Sequence, residues 1–181
     1  GCLMGADTEI RALTLRQPWA WAVAHGGKDV ENRRRWLGWY VGPVLIHAAK
    51  EWDDDWLEAV ETVARFSGRP GADVLAGARV FGAVVAAATI SEKPTWPHGS
   101  LACVRTSHLA HLHPDGPYKC SPWATGGNGG MSHYPLRDVR PFETPVPARG
   151  ALGFWRPDAV TTEAVLAQIQ EYPTSFLWAS L

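Results

Sequence analysis

Cysteine is scarce and poorly placed for cross-linking. The 181 residues hold 3 cysteines, Cys2, Cys103 and Cys120, with no Cys-x-x-Cys pair. An odd, widely spaced set argues against both a disulfide framework and a structural zinc site, and fits reduced thiols. Charge of one sign is also lacking, with 17 Lys+Arg against 18 Asp+Glu. So balanced a chain has no global field to gather a polyanion, and any contact with nucleic acid has to be local. Arg33-Arg34-Arg35, with Arg16 and Lys28 before it, is either that local patch or a solvated basic turn. No stretch nears the roughly 18 consecutive apolar residues of a membrane span, and no charged segment leads into an apolar run at the N-terminus. These features point to a cytoplasmic protein that does not enter a membrane.

What the chain has is tryptophan, 10 residues of it, in a sequence 46% hydrophobic and long enough for one domain with a real core. Tryptophan fills the cores of small barrels and also stacks on bases, so most of these rings belong to the interior and a few are candidates for a binding surface.

The pattern predicts a strand over Ala12 to Gln17, with Leu13 and Leu15 on one face. Pro18 suits a helix start, and Trp19 to Ala24 continue until Gly26-Gly27 stop them. Lys28 to Arg33 alternates as a short strand, in which Glu31 and Arg33 share the face opposite Val30. Lys28 has the wrong parity for that face and joins it only from the turn after Gly27. Pro43 to His47 reads as a buried strand, and Asp53 to Phe66 as a helix with Trp56, Val60, Val63 and Phe66 along one stripe. Asp53-Asp54-Asp55 suit that helix's N-terminal dipole. A strand over Arg79 to Ile90 follows, then an irregular stretch from Ser91 to Tyr134 containing Gly126-Gly127-Asn128-Gly129-Gly130. Strands over Val139 to Pro145 and Ala151 to Trp155, and a helix over Thr161 to Glu171, close the chain. Strands without a βαβ alternation predict a barrel with helices around it.

Three segments carry a family resemblance. Leu13-Thr14-Leu15-Arg16-Gln17-Pro18-Trp19-Ala20 is followed by Gly26-Gly27-Lys28-Asp29-Val30-Glu31-Asn32-Arg33 and then Gly42-Pro43-Val44-Leu45-Ile46-His47-Ala48. Together they resemble the ASCH family of the PUA-like superfamily. Ser121-Pro122-Trp123 and Pro145 to Trp155 resemble the closing part of its bacterial and phage members. The resemblance implies an α+β fold, a PUA-like β-barrel of about five to six mostly antiparallel strands with peripheral helices. The barrel would occupy residues 10–156, with 157–181 a C-terminal helix packed on the same domain and 1–9 a tail or expression remnant. It further implies a cleft lined by the lysine and glutamate of that motif, here Lys28 and Glu31, and RNA, DNA or a modified nucleoside as ligand. Neither cofactor nor metal is expected, and the protein is read as a monomer.

Lys28 beside Arg33 would feel like charge and desolvation, which favour a general base; an exposed turn lysine pairing with Glu31 or Asp29 is the plainer alternative. Glu31 pairs with Arg33 or activates water. Arg16 suits a phosphate and Gln17 a base edge, unless both tie the barrel together. Trp19 stacks on a base or fills the core, and Trp123, on a loop, is the better stacking candidate. Ser121 is a ligand contact, and a nucleophile only if Lys28 or His133 folds beside it. His108, His111 and His113, with His47, Cys103 and Cys120, invite a metal, but surface histidines explain them as well.

Three functions follow. The leading one is a nucleic-acid or modified-nucleobase binding domain. The second is a metal-independent hydrolase in the same cleft, an amidohydrolase on N-acetylated cytidine or a ribonuclease, with Lys28 as base and Glu31 orienting water. In the deacetylase branch of the family a threonine nucleophile stands where this chain has Glu31, and Glu92 is the candidate for that branch's second carboxylate. The third is a protein-interaction module.

Overall fold

A computed structural model of the chain describes residues 9–35, 37–38, 40–90, 121–125 and 132–169. The elements run β1 (Arg11–Gln17), α1 (Trp19–His25), β2 (Val30–Arg33), β3 (Gly42–Trp52), α2 (Trp56–Ser67), α3 (Gly71–Gly77), β4 (Ala83–Ile90), β5 (Ser132–Pro147) and α4 (Ala159–Ile169). The fold is α+β, with the strands forming one sheet in the order β1-β3-β4-β5-β2. The β1–β3 ladder is parallel, and β3–β4, β4–β5 and β5–β2 are antiparallel.

Alternation along the strands splits the apolar side chains between two faces. Leu13 and Leu15 of β1 pack with Val44 and Ile46 of β3, Val85 of β4, and Tyr134 and Leu136 of β5, under Ala20 and Val23 of α1. Ala12, Leu45, Val84, Phe142 and Val146 face the other way, where Val165 and Ile169 of α4 cover them. A third cluster joins α1, α2 and α3 through Trp21, Val60, Val63 and Val74, and takes in Val30 and Trp123. β4 lies between β3 and β5 with all eight residues buried, which is why it is built largely of alanine and valine.

β1 and β2 end the sheet order, and no backbone ladder joins them among the described residues. Arg33 of β2 spans the gap instead, Nη2 donating to the Thr14 carbonyl at 2.7 Å. Among the described residues the strands thus form a five-stranded mixed sheet and not the closed barrel expected, with one side chain bridging the seam between its two end strands.

Several boundaries differ from the sequence reading. The strand expected over Val139 to Pro145 begins at Ser132 and passes through Pro135 and Pro141. Its register with β4 shifts twice, and Asp138 sits at φ 50° beside one shift. Pro141 borders one of these shifts, and Pro135 lies opposite Val30 of the end strand β2; bulges and the margins of a sheet are where a strand admits proline. The strand expected over Ala151 to Trp155 contracts to one bridge, Trp155 to Ala12. The helix expected from Asp53 starts at Trp56, and Trp56 and Phe66 at its ends are 39% and 42% exposed, so its buried face is Ala59, Val60 and Val63. α3 was not anticipated, because its seven residues begin and end in glycine.

Candidate functional site

The cleft opens at the seam. Gly27, at φ +78°, ends the α1 turn in a conformation that glycine adopts at little cost. The chain then enters β2 with Lys28 on the turn, its N–H donating to Ala22 O at 3.0 Å. From there the Lys28 ammonium donates to the Val30 carbonyl and to Glu31 Oε2, the latter at 2.9 Å. The other carboxylate oxygen, Oε1, accepts from Arg33 Nε at 2.9 Å. Glu31 thus stands between two cations, and Arg33 goes on to the Thr14 carbonyl. The Lys28 and Glu31 side chains are 3% and 9% exposed, and that of Arg33 is 25%.

These groups border a cavity of about 500 Å³, within the size range of small-molecule sites. Trp19, Phe66 and Trp123 give it aromatic walls, and Leu152 stands at its border, 93% exposed. Lys28 Nζ lies 5.9 Å from the centroid of the Trp19 ring, within cation–π range. The Trp19 indole N–H donates to Asp53 Oδ2 at 2.9 Å, which fixes the ring's rotation. Phe66 and Trp123 meet at 5.2 Å and 65°, edge to face. The charged lining comprises Arg16, Lys28 and Arg33 against Glu31 and Asp53, and Asp54, paired with Arg16 at the rim, brings the local charges into balance.

Behind the seam, donor and acceptor roles follow from chemistry. The Ala148 carbonyl only accepts, so His47 Nε2, at 2.8 Å, carries the proton and Nδ1 is the acceptor. The Thr14 hydroxyl therefore donates to Nδ1 at 3.1 Å while accepting the Trp155 indole N–H at 3.0 Å. Burial holds the His47 pKa below the usual imidazole range, against the opposing pull of the Ala148 carbonyl. Ala148 and Trp155 thus anchor both ends of the segment carrying Ala151, Leu152 and Gly153 into the cleft.

Of the residues singled out from sequence, Lys28, Glu31, Arg33, Arg16, Trp19 and Trp123 border this one cavity. Arg16 pairs with Asp54 at 3.0 Å on the exposed rim. Gln17 does not border the cleft: it is 1% exposed, Nε2 donates to Val80 O and Oε1 accepts from Trp21 N, both at 2.9 Å. It ties β1 to its neighbours, the second of the two roles open to it in the sequence. Ser121 also lies off the cleft, its hydroxyl donating to Asp29 Oδ1 and accepting from Trp123 N. His133 meets Thr125 O. Glu92, His108, His111, His113, Cys103 and Cys120 lie outside the described residues.

Asn32, Asp53, Phe66 and Leu152 are cleft residues that the sequence reading did not single out. Asp53 was assigned to capping α2; it precedes that helix, and Oδ1 accepts the Asp55 N–H at 2.9 Å while Oδ2 serves Trp19. The signal that could have found Leu152 was the closing motif from Pro145 to Trp155, in which it stands between Gly150 and Gly153.

No protein-family model and no curated protein matches the sequence. Solved structures do. One mutant of the ASCH protein from Zymomonas mobilis superposes with a TM-score of 0.50 at 13% identity, covering 88% of this chain and 97% of that one. A second mutant of the same protein gives 0.51 at 14% identity, over 89% and 96%. Identity this low carries architecture and not activity. The resemblance read in the sequence and the likeness of the folded chains agree: this chain has an ASCH-type fold.

Proposed function

We propose that the cleft binds a nucleobase, presented by single-stranded RNA or DNA or as a modified nucleoside, in a monomeric cytoplasmic protein. The observation that carries this reading is the Lys28–Glu31–Arg33 ion-pair chain held against an aromatic wall. Burying the charges of Lys28 and Glu31 is expensive, and a buried ion pair is weak evidence of stabilisation in itself. Here it presents fixed donors and acceptors to a planar ligand, while Trp19 offers stacking worth about 1–3 kcal/mol per base and Trp123, 6% exposed, adds the small part of its surface that borders the cleft. Arg16, 46% exposed on the rim, suits a phosphate beside the base in exchange for its exposed partner Asp54. The test is calorimetric titration of the full chain with short single-stranded RNA and DNA and with free nucleosides. Binding that falls at least tenfold, roughly the loss of one good polar contact, in Lys28→Ala supports the reading. Absence of binding by every probe refutes it.

The Lys28–Glu31 contact also favours a hydrolytic use of the same cleft. Glu31, the carboxylate of the pair, would orient a water and take its proton, and the Lys28 ammonium would steady the negative charge that develops on the substrate. Incubation with N-acetylated cytidine and with RNA tests this: turnover abolished in Lys28→Ala and Glu31→Ala supports it, and turnover indifferent to both, or none in the parent, rules it out.

A further inference from the structure

Trp123 is held through its backbone. Its N–H donates to Ser121 Oγ at 3.0 Å, and its carbonyl accepts from Asn32 Nδ2 at 2.9 Å. Two residues on, the Thr125 N–H donates to Asn32 Oδ1 at 3.1 Å. The Thr125 carbonyl accepts from His133 Nε2 at 2.7 Å, so that nitrogen carries the proton. Asn32 and His133 are paired directly across the β2–β5 ladder and so project from the same face of the sheet. Glu31 and Arg33, the neighbours of Asn32 in β2, carry the ion-pair chain of the cleft. One four-residue strand thus carries the polar groups of the cleft and, at the position between them, the clamp on its aromatic wall.

The clamp is specific in its chemistry. Asn32 spends its donor and its acceptor on the two backbone groups that bracket residue 124, as a neighbouring strand would, and 121–125 contains no helix or strand of its own. A carboxylate at position 32 could keep the Thr125 contact but would set an oxygen against the Trp123 carbonyl. A leucine would keep the volume and lose both contacts. We propose that Asn32 and His133 are positioning residues that preset Trp123 as a wall of the cleft, so that the ring is in place before the ligand arrives. Preset geometry raises affinity by removing an ordering cost from the binding step. This rests on the reading that the cleft takes a base against Trp123.

Four proteins are compared: the parent, Asn32→Asp, Trp123→Ala, and the double variant. The probe is the short single-stranded RNA or nucleoside that the parent binds, followed by calorimetry, with thermal unfolding of each protein alongside. If Asn32 acts through Trp123, Asn32→Asp weakens binding about tenfold in the parent and has no further effect once Trp123 is alanine. Equal loss in both backgrounds, or no loss, overturns the proposal, since a residue acting only on general stability would lower both alike. Should Asn32→Asp fail to fold, Asn32→Ser, at a partly exposed position on an end strand, enters the same cycle. If no probe binds the parent, the nucleobase reading fails by itself and the positioning claim is judged without ligand. The Trp123 indole N–H resonance, assigned by its loss in Trp123→Phe, then shifts or broadens in Asn32→Asp and in His133→Gln if the clamp holds the ring, and an unchanged resonance overturns it.

Discussion

Replacing Glu31 by glutamine tests whether the ion-pair chain is as desolvated as its geometry implies. The substitution keeps the side chain's shape and removes its charge, leaving Lys28 and Arg33 facing each other without a counter-ion. Arg33, a quarter exposed, can turn toward water; Lys28, 3% exposed, cannot do so without leaving its turn. Breaking a buried pair by removing one partner costs about 3–5 kcal/mol. The partial exposure of Arg33 places this case near the lower end, about 3 kcal/mol. For a chain of this size each kcal/mol shifts the unfolding midpoint by about 2–4 °C, so Tm should fall by ~6–12 °C. Guanidinium denaturation read by circular dichroism measures the free energy directly. The companion variant Lys28→Met/Glu31→Leu removes both charges at similar volume and should recover most of the loss, because an apolar pair in a buried position is close to neutral. A Glu31→Gln protein within about 0.5 kcal/mol of the parent, the range of ordinary surface changes, would mean that the chain is wet and would refute the argument from burial.

Two further outcomes follow from the seam's other side. Because burial lowers the His47 pKa, the folded protein binds fewer protons than the unfolded chain around pH 6, so stability is fully present above the unfolded value of 6.5 and declines as pH falls below it. His47→Gln should flatten that decline between pH 7.5 and 5.5 in denaturation curves, with His25, also lowered by burial and by Arg69, contributing equally to both proteins. An unchanged pH slope would contradict the neutral assignment. Gly150→Ala would place a methyl 2.7 Å from His47 Cε1 and Thr14 Oγ1. Both of those groups are fixed, and overpacking of this kind costs about 1–3 kcal/mol, again read by denaturation; a neutral substitution would show that the segment over His47 yields freely.

Much of the site was legible because it is local in sequence. Arg16, Trp19, Lys28, Glu31 and Arg33 lie within one strand-helix-strand passage, where period-2 alternation relates Glu31 to Arg33 and a turn brings Lys28 to them. Asn32 escaped notice because its role is to hold a segment 91 residues away, and periodicity says nothing about such a partner. Phe66 was read into the core since its spacing from Val63 is helical, but it closes α2, where the stripe runs off the core and into the cleft. β5 was cut short because Pro135, just after the irregular stretch, breaks a strand pattern in sequence, while pairing with the end strand β2 admits it in space. The parallel β1–β3 pair, joined across α1 and β2, could not be inferred from strands read one at a time. Gln17 had two roles open to it, and its burial against Val80 and Trp21 decides between them.

The central claim is that the cleft at the seam receives a base. Its most direct test is a protein-observed NMR titration of the full chain with short single-stranded RNA and with nucleosides, following the indole and backbone resonances around the cleft. The account predicts saturable shifts concentrated at Trp19, Asn32, Arg33 and Trp123, lost in Lys28→Ala. Shifts centred elsewhere on the molecule, or none with any probe, would contradict it.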